Sequence, residues 1–246
     1  MVARSASNSE SVFPKTRIAG TLKKISDLLA SLSVPKWGIA DITSLHPLAD
    51  TYPKAFSILL PYRPEFKTYS ELAYHHLLKR VDSWIDDAVL KVSQIFKANE
   101  VKHFCVPQGG QDPDTLLAMF PHKLAAVRAG LGWIGKSSLF INREYGPRVR
   151  LATILVDEIL PCSDPVTVSE CGDCEICINA CPYGCINGVN WFPGISRKAL
   201  FDAHICSAKR EAFRKSIGHK HECGLCLLAC PLGNGSGKVE MKRTYL

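Results

Sequence analysis

Eleven cysteines stand in a chain of 246 residues, and eight of them fall around two runs near its C-terminal end. The first run is Cys171, Cys174, Cys177 and Cys181, closed by Pro182. This C-x2-C-x2-C-x3-C-P spacing is the bacterial ferredoxin pattern for iron–sulfur clusters, in which the fourth cysteine serves the other cluster of a pair. The second run, Cys223, Cys226, Cys230 and Pro231, repeats its end, and Cys206 can supply the thiolate it lacks. Eight thiolates make two [4Fe–4S] sites. Crossed ligation gives Cys171, Cys174, Cys177 and Cys230 to one, and Cys206, Cys223, Cys226 and Cys181 to the other. Gaps of two residues let one loop bend three sulfurs around a cubane. The proline then stops the short helix that carries the last cysteine. Structural zinc takes four ligands, usually as two C-x2-C pairs, and does not explain a C-x3-C-P ending that occurs twice. Disulfides fit less well still, because closely spaced cysteines in a chain of cytosolic character point to metal.

A glycine loop, Gly130 to Ser137 (GLGWIGKS), matches two phosphate-binding patterns literally. Gly130, Gly132 and Gly135 fit G-x-G-x-x-G, and Gly130, Gly135, Lys136 and Ser137 fit the P-loop. Both mechanisms need a strand before the loop and a helix after it. Here the order is reversed: the alanine-rich PHKLAAVRA before the loop reads as helix, and KSSLFIN after it reads as strand. Trp133 would also fill the cradle. Two readings remain, a helix C-cap turning tightly into a strand, or close backbone approach to a larger ligand. On the second, Gly130, Leu131, Gly132, Trp133, Ile134, Gly135 and Lys136 contact a cofactor, with Arg148 and Arg150 at its polar edge. His122 and Lys123, at the start of the preceding helix, are candidate proton donors. The sequence DAHICS, Asp202 to Ser207, approaches a histidine-on corrinoid motif. It has Ser207 at the glycine position, and Cys206 is already needed for a cluster, so it is set aside. Cys105, Cys162 and Cys185 are surplus, Cys105 to an apolar strand and the others to loop or packing positions.

The elements that must position these groups follow from periodicity. Apolar residues at helical spacing predict helices over 21–33, 70–98 and 121–129. The long helix shows a stripe of Ala73, Leu77, Val81, Trp84, Ala88, Val92 and Ile95. Tyr69, Tyr74, His75 and His76 lie at its start. Apolar runs predict strands over 37–42, 55–60, 101–106, 138–142 and 148–157, with a turn at Tyr145–Gly146–Pro147. The reading is a mixed α/β (α+β) layered domain, followed by a small ferredoxin-like domain holding both clusters. Residues 1–18 read as a disordered tail, 19–160 as the cofactor- and substrate-binding domain, and 161–246 as the cluster domain, joined through a linker over 161–167.

The motifs HKLAAVRAGLGWIGKSSLFI, YGPRVRLATILVD, CGDCEICINACP, DAHIC and CGLCLLACP, in that order, resemble epoxyqueuosine reductase. The likeness is strong over 120–232 and is to short relatives of that enzyme; reductive dehalogenases are more distant. The resemblance implies a nitroreductase- or corrinoid-reductase-like domain with a ferredoxin domain packed on it. It implies cobalamin between the two, fed single electrons by the clusters. Two departures stand out. The family's catalytic aspartate lies thirteen positions before the alanine of AGLGW, where this chain has Leu116, and a family glutamate falls at His122. The family also carries a helical-repeat domain after its clusters, whereas this chain ends fourteen residues beyond Leu232. Transfer RNA is therefore not expected as a partner.

Lysine and arginine number 30 against 23 acids, a formal charge of +7. Two oxidised clusters at about −2 each would leave roughly +3, so nucleic acid is not demanded. Lys209, Arg210, Arg214, Lys215 and Lys220 form a basic stretch that could dock an acidic electron donor such as a flavodoxin or ferredoxin. No apolar run approaches the ~18 residues of a membrane span, and the polar start lacks a signal-peptide core, so a cytoplasmic protein is expected. Three functions stay open. One is a cobalamin-dependent iron–sulfur reductase of a small or nucleoside-like substrate. The others are an electron carrier or corrinoid-reducing activator, and a flavin (FMN) reductase.

Overall fold

The computed structural model describes residues 12–64, 69–211 and 223–233. A four-stranded antiparallel sheet forms its centre, in the order β1 (Lys36–Asp41), β2 (Lys54–Pro61), β6 (Val149–Val156), β3 (His103–Cys105). The two inner strands are the apolar runs AFSILL and LATILV. They are buried on both faces, as their composition requires.

Each face carries its own helical layer. Phe56, Ile58 and Leu60 of β2, with Ala152, Ile154 and Val156 of β6, face α1 (Val12–Ser31) and α2 (Glu71–Ala98). The alternate residues Ala55, Leu59, Leu151 and Leu155 face α3 (His122–Arg128). Two polar residues interrupt that second face. Ser57 and Thr153 are paired across β2 and β6, and both are fully buried.

Of the expected tail over 1–18, residues 1–11 lie outside the described residues, and α1 already begins at Val12. The stripe of α2 holds at Leu77, Val81, Ala88 and Val92, but Trp84 is 40% exposed and donates its Nε1 hydrogen to the Leu32 carbonyl. Tyr74, Leu78, Ile85 and Phe96 fill the remainder of that face. The expected strand over 138–142 is a two-residue pairing, β4 (Trp133–Ile134) against β5 (Phe140–Ile141). The segment 161–167 is held at two points: Ser163 donates to the Ile39 carbonyl beside β1, and Val166 to that of Val127 in α3.

Among the described residues the cysteine-bearing part adds four short helices: α4 (Ile176–Ala180), α5 (Arg197–Leu200), α6 (Ala203–Glu211) and α7 (Leu225–Ala229). It packs directly on the sheet layer. Leu200, Trp191 and Ile195 join Leu59 and Phe140, and Cys230 joins Trp133 and Ile141.

Candidate functional site

The two cysteine runs fold alike. Cys171–Gly172 and Cys223–Gly224 open each run, with Gly172 at φ +51° and Gly224 at φ +70°. Left-handed backbone there turns the chain sharply, and glycine adopts it without a Cβ clash. A five-residue helix follows each turn. The cysteine before each proline, Cys181 or Cys230, caps its helix with ψ of 111° or 127°. Proline imposes that extended conformation on its predecessor, so each fourth cysteine points away from its own loop. The helices α4 and α7 pack on one another, which brings each fourth cysteine to the other run.

Cys171, Cys174, Cys177 and Cys230 line one cavity of about 160 Å³, together with Lys136 and Pro231. Cys181, Cys206, Cys223 and Cys226 form the second group. Burial, then Cys223, Cys181 and Cys206, hold the Cys226 thiol far above its ordinary value. Burial likewise pushes Cys230 up to about 11. Buried thiols resist ionising alone, and iron bonded to the thiolates would supply the offset. Among the described residues no three His, Cys, Asp or Glu side chains converge as on a single ion. A four-iron cube asks for something different, one thiolate at each of four separated corners around a volume, and the four cysteines of the first group line a single cavity. Cys185, expected at a loop or packing position, is fully buried beside Cys181 and Cys206. Cys105 packs at the edge of the sheet core, and Cys162 is exposed.

The glycine loop turns inward. A Cβ on Gly130 would meet the Asp164 carbonyl at 2.7 Å, one on Gly132 would strike the Ile141 carbonyl, and one on Gly135 would meet the Ile141 side chain. Trp133 is 2% exposed and Ile134 is buried, while Leu131 wedges between two core clusters. The missing side chains make room for the protein's own backbone at Gly130 and Gly132 and for the Ile141 side chain at Gly135. At the loop's end Lys136 and Ser137 line a cavity, that of the first cysteine group.

Arg148 also goes elsewhere than expected. It is 4% exposed, and its two terminal nitrogens donate to the carbonyls of Leu232 (2.7 Å), Leu228 (2.9 Å) and Cys230 (3.1 Å). It clamps the end of α7 to the sheet layer. Arg150 pairs with Asp82 of α2. His122 places Nδ1 3.0 Å from the Thr153 hydroxyl. Burial drops its pKa to about 4, so it is neutral near pH 7. Lys123 donates to the Ser138 carbonyl at 2.7 Å, and burial, then Arg197, lowers it to about 8.

A larger cavity, about 650 Å³ and open on one side, escaped the sequence reading. Tyr62, Leu77 and Val81 contribute an apolar wall, Trp84 and Tyr145 flank it, and Arg63 and Arg80 stand at it as exposed cations. Its volume lies within the roughly 300–1,000 Å³ of ordinary ligand pockets. Gly233 lines it, directly after Leu232 of the first cysteine cavity. The sequence carried no signal for it: Trp84 reads as part of an apolar stripe, and its exposure shows only in the fold. Burial, and then Glu144, raise Tyr145 to about 12, and burial raises Tyr62, so both phenols keep their protons at neutral pH. Neither His122 nor Lys123 is among its lining residues.

A stretch of 109 residues is 39% identical to epoxyqueuosine reductase of Salmonella typhimurium, covering 43% of this chain and 28% of that enzyme. The Escherichia coli enzyme is 38% identical over 109 residues, with the same coverage. Over this stretch the chain is similar to epoxyqueuosine reductase. The matched stretch spans under a third of those two enzymes' length. No family model matches the chain. Solved structures extend the likeness to nearly all of it. Epoxyqueuosine reductase with an epoxyqueuosine-modified tRNA stem loop superposes with a TM-score of 0.61 at 19% identity, over 89% of this chain and 67% of that one. A catabolic reductive dehalogenase gives 0.65 at 16% identity, over 87% and 32%. The fold is therefore that of epoxyqueuosine reductase and the reductive dehalogenases, a layered α/β domain with cluster-type cysteines packed against it. No helix of the described residues is long and apolar enough to cross a membrane.

Proposed function

We propose that this relative of epoxyqueuosine reductase is an iron–sulfur oxidoreductase with two [4Fe–4S] clusters. Cys171, Cys174, Cys177 and Cys230 hold the first, and Cys181, Cys206, Cys223 and Cys226 the second. The observation that carries the reading is the separation of eight cysteines into two crossed groups, one of them around its own cavity. The clusters pass electrons one at a time. The 650 Å³ pocket beyond Leu232 is the place for what receives them.

The relatives point to a corrinoid as that receiver, since one similar structure is described as explaining B12-dependent dehalogenation. A bound corrinoid would supply a metal centre able to take single electrons and deliver a pair. Being open on one side, the pocket can take part of a ligand larger than itself. Trp84 and Tyr145 would meet its rings, Arg63 and Arg80 its anionic groups, and the Tyr145 hydroxyl could donate a proton. FMN is the competing occupant, and its phosphate would suit the same arginines. The tRNA reaction of the relatives is not carried over, because Leu116 stands where their acid is expected. An electron carrier without a second cofactor is the remaining reading.

Anaerobic protein should hold about eight iron and eight sulfide. Cys206→Ala should drop iron to about half, and Cys105→Ala should leave it unchanged. Four irons in the wild type, or indifference to Cys206, would overturn the assignment. The same preparation is then titrated with hydroxocobalamin and with FMN, followed by desalting. Stoichiometric retention of the first supports the corrinoid reading, retention of the second selects a flavin, and retention of neither leaves the carrier.

A further inference from the structure

Lys136 is one of the few charged side chains buried in this protein, at 5% exposure. It lines the cavity of the first cysteine group, and no carboxylate pairs with it among the described residues. The turn that carries it is fixed by Gly135 donating to Leu139 and Ser138 donating to Gly135, both at 2.8 Å, and by Lys123 holding the Ser138 carbonyl. Glu170 lines the same cavity, but its carboxylate is engaged by Arg143. A second buried cation, Arg148, reaches the Cys230 carbonyl at 3.1 Å. The first group therefore sits beside two enclosed positive charges; of the acids near it Glu170 is paired, and Asp173 and Glu175, in its own loop, are exposed to solvent, where their charges are screened.

The second group has a different surround. Arg210, half-buried, acts on Cys223, and the carboxylate of Asp202 acts on Cys185 beside Cys181 and Cys206. Among the described residues, one cation and one acid nearly cancel there. Reduction adds a negative charge to a cluster that already carries about two. An enclosed cation favours the added charge, and burial keeps solvent and salt from screening it.

We infer that Lys136 raises the reduction potential of the first cluster above that of the second, so that electrons collect at the cluster nearer the ligand pocket. The inference rests on the two-cluster reading above. It makes Lys136 a residue that sets the direction of electron flow, with no part in binding substrate.

The experiment is an anaerobic redox titration followed by EPR, on holoprotein whose iron has been counted first. Wild type should show two one-electron steps. The step that survives in Cys206→Ala belongs to the first cluster, and it should be the one at higher potential. Lys136→Gln should move that step to lower potential and leave the other in place, and Lys136→Arg should return it towards the wild-type position. Iron near eight with an unmoved first step in Lys136→Gln overturns the inference alone. So does a wild type whose first cluster is the lower in potential, a result that needs no lysine variant to fold. Iron near four or zero in the wild type overturns the cluster reading and takes this inference with it.

Discussion

His122 shows how far a residue's role is decided by its neighbours. Its Nδ1 meets Thr153, and a contact with the Pro107 backbone offsets only part of its burial. Burial lowers its pKa from 6.5 to about 4. The unfolded chain therefore takes a proton that the folded protein refuses, and the folded state loses stability as pH falls from about 6.5 towards 4. At pH 5 the loss from this one group is about 2 kcal/mol. His122→Asn removes the titration. Urea midpoints at pH 7 and pH 5, taken on anaerobic holoprotein, should fall further in wild type than in the variant. Equal falls would show that the imidazole is protonated in place. A group neutral above pH 4 is also a poor acid at pH 7. Lys123, at about 8, holds a proton there and can release it more readily than an ordinary lysine.

At the scale of elements, Arg148 joins β6 to α7. Its three carbonyl partners lie at the end of a helix of five residues, where the carbonyls have no intrahelical donors. Gly146, two residues earlier, is packed so tightly on the Leu232 carbonyl that a Cβ would strike it. Arg148→Leu removes hydrogen bonds worth about 1.5–3 kcal/mol each for a charged donor. Amide hydrogen exchange over 225–233 should accelerate while β2 and β6 stay protected, and Arg148→Lys should recover little because an ammonium cannot fork across three carbonyls. Exchange unchanged in Arg148→Leu would mean that α7 is docked by other contacts. This clamp was invisible in the sequence for a physical reason. The strands AFSILL and LATILV and the cysteine runs declare themselves through short spacings along the chain. The partners of Arg148 lie at least 80 residues away, and those of Tyr69, whose hydroxyl donates to the Cys223 carbonyl, lie 154 away. The glycines of GLGWIG were legible as places where backbone comes close. Which backbone, that of Ile141 and Asp164, was not.

The whole molecule divides its stability unevenly. The sheet layer buries Phe56, Ile58, Leu59, Leu60, Ile85, Phe96 and Ile154 almost completely, which is ample core for a fold of its own. Among the described residues the cysteine-bearing layer buries far less: Ile186, Leu200, Leu227 and Leu228 are its principal enclosed aliphatic residues, and α4, α5 and α7 have five residues or fewer. Helices that short are not stable by themselves. The layer also places nine thiols in close quarters, and several of them, Cys226 and Cys230 among them, are held up in pKa by burial. Iron–sulfur ligation would convert that crowding into folding free energy, as structural metals do in small domains. Removing the clusters with a chelator under mild oxidation should therefore open residues 171–211 to protease, while a fragment from α1 through β6 survives intact. Trp133, at the junction of the layers beside Cys230, should shift its fluorescence to longer wavelength in the same treatment. A digestion pattern identical with and without iron would place the stability of the second layer in its contacts with Leu59 and Phe140, and would leave the clusters a purely electronic role.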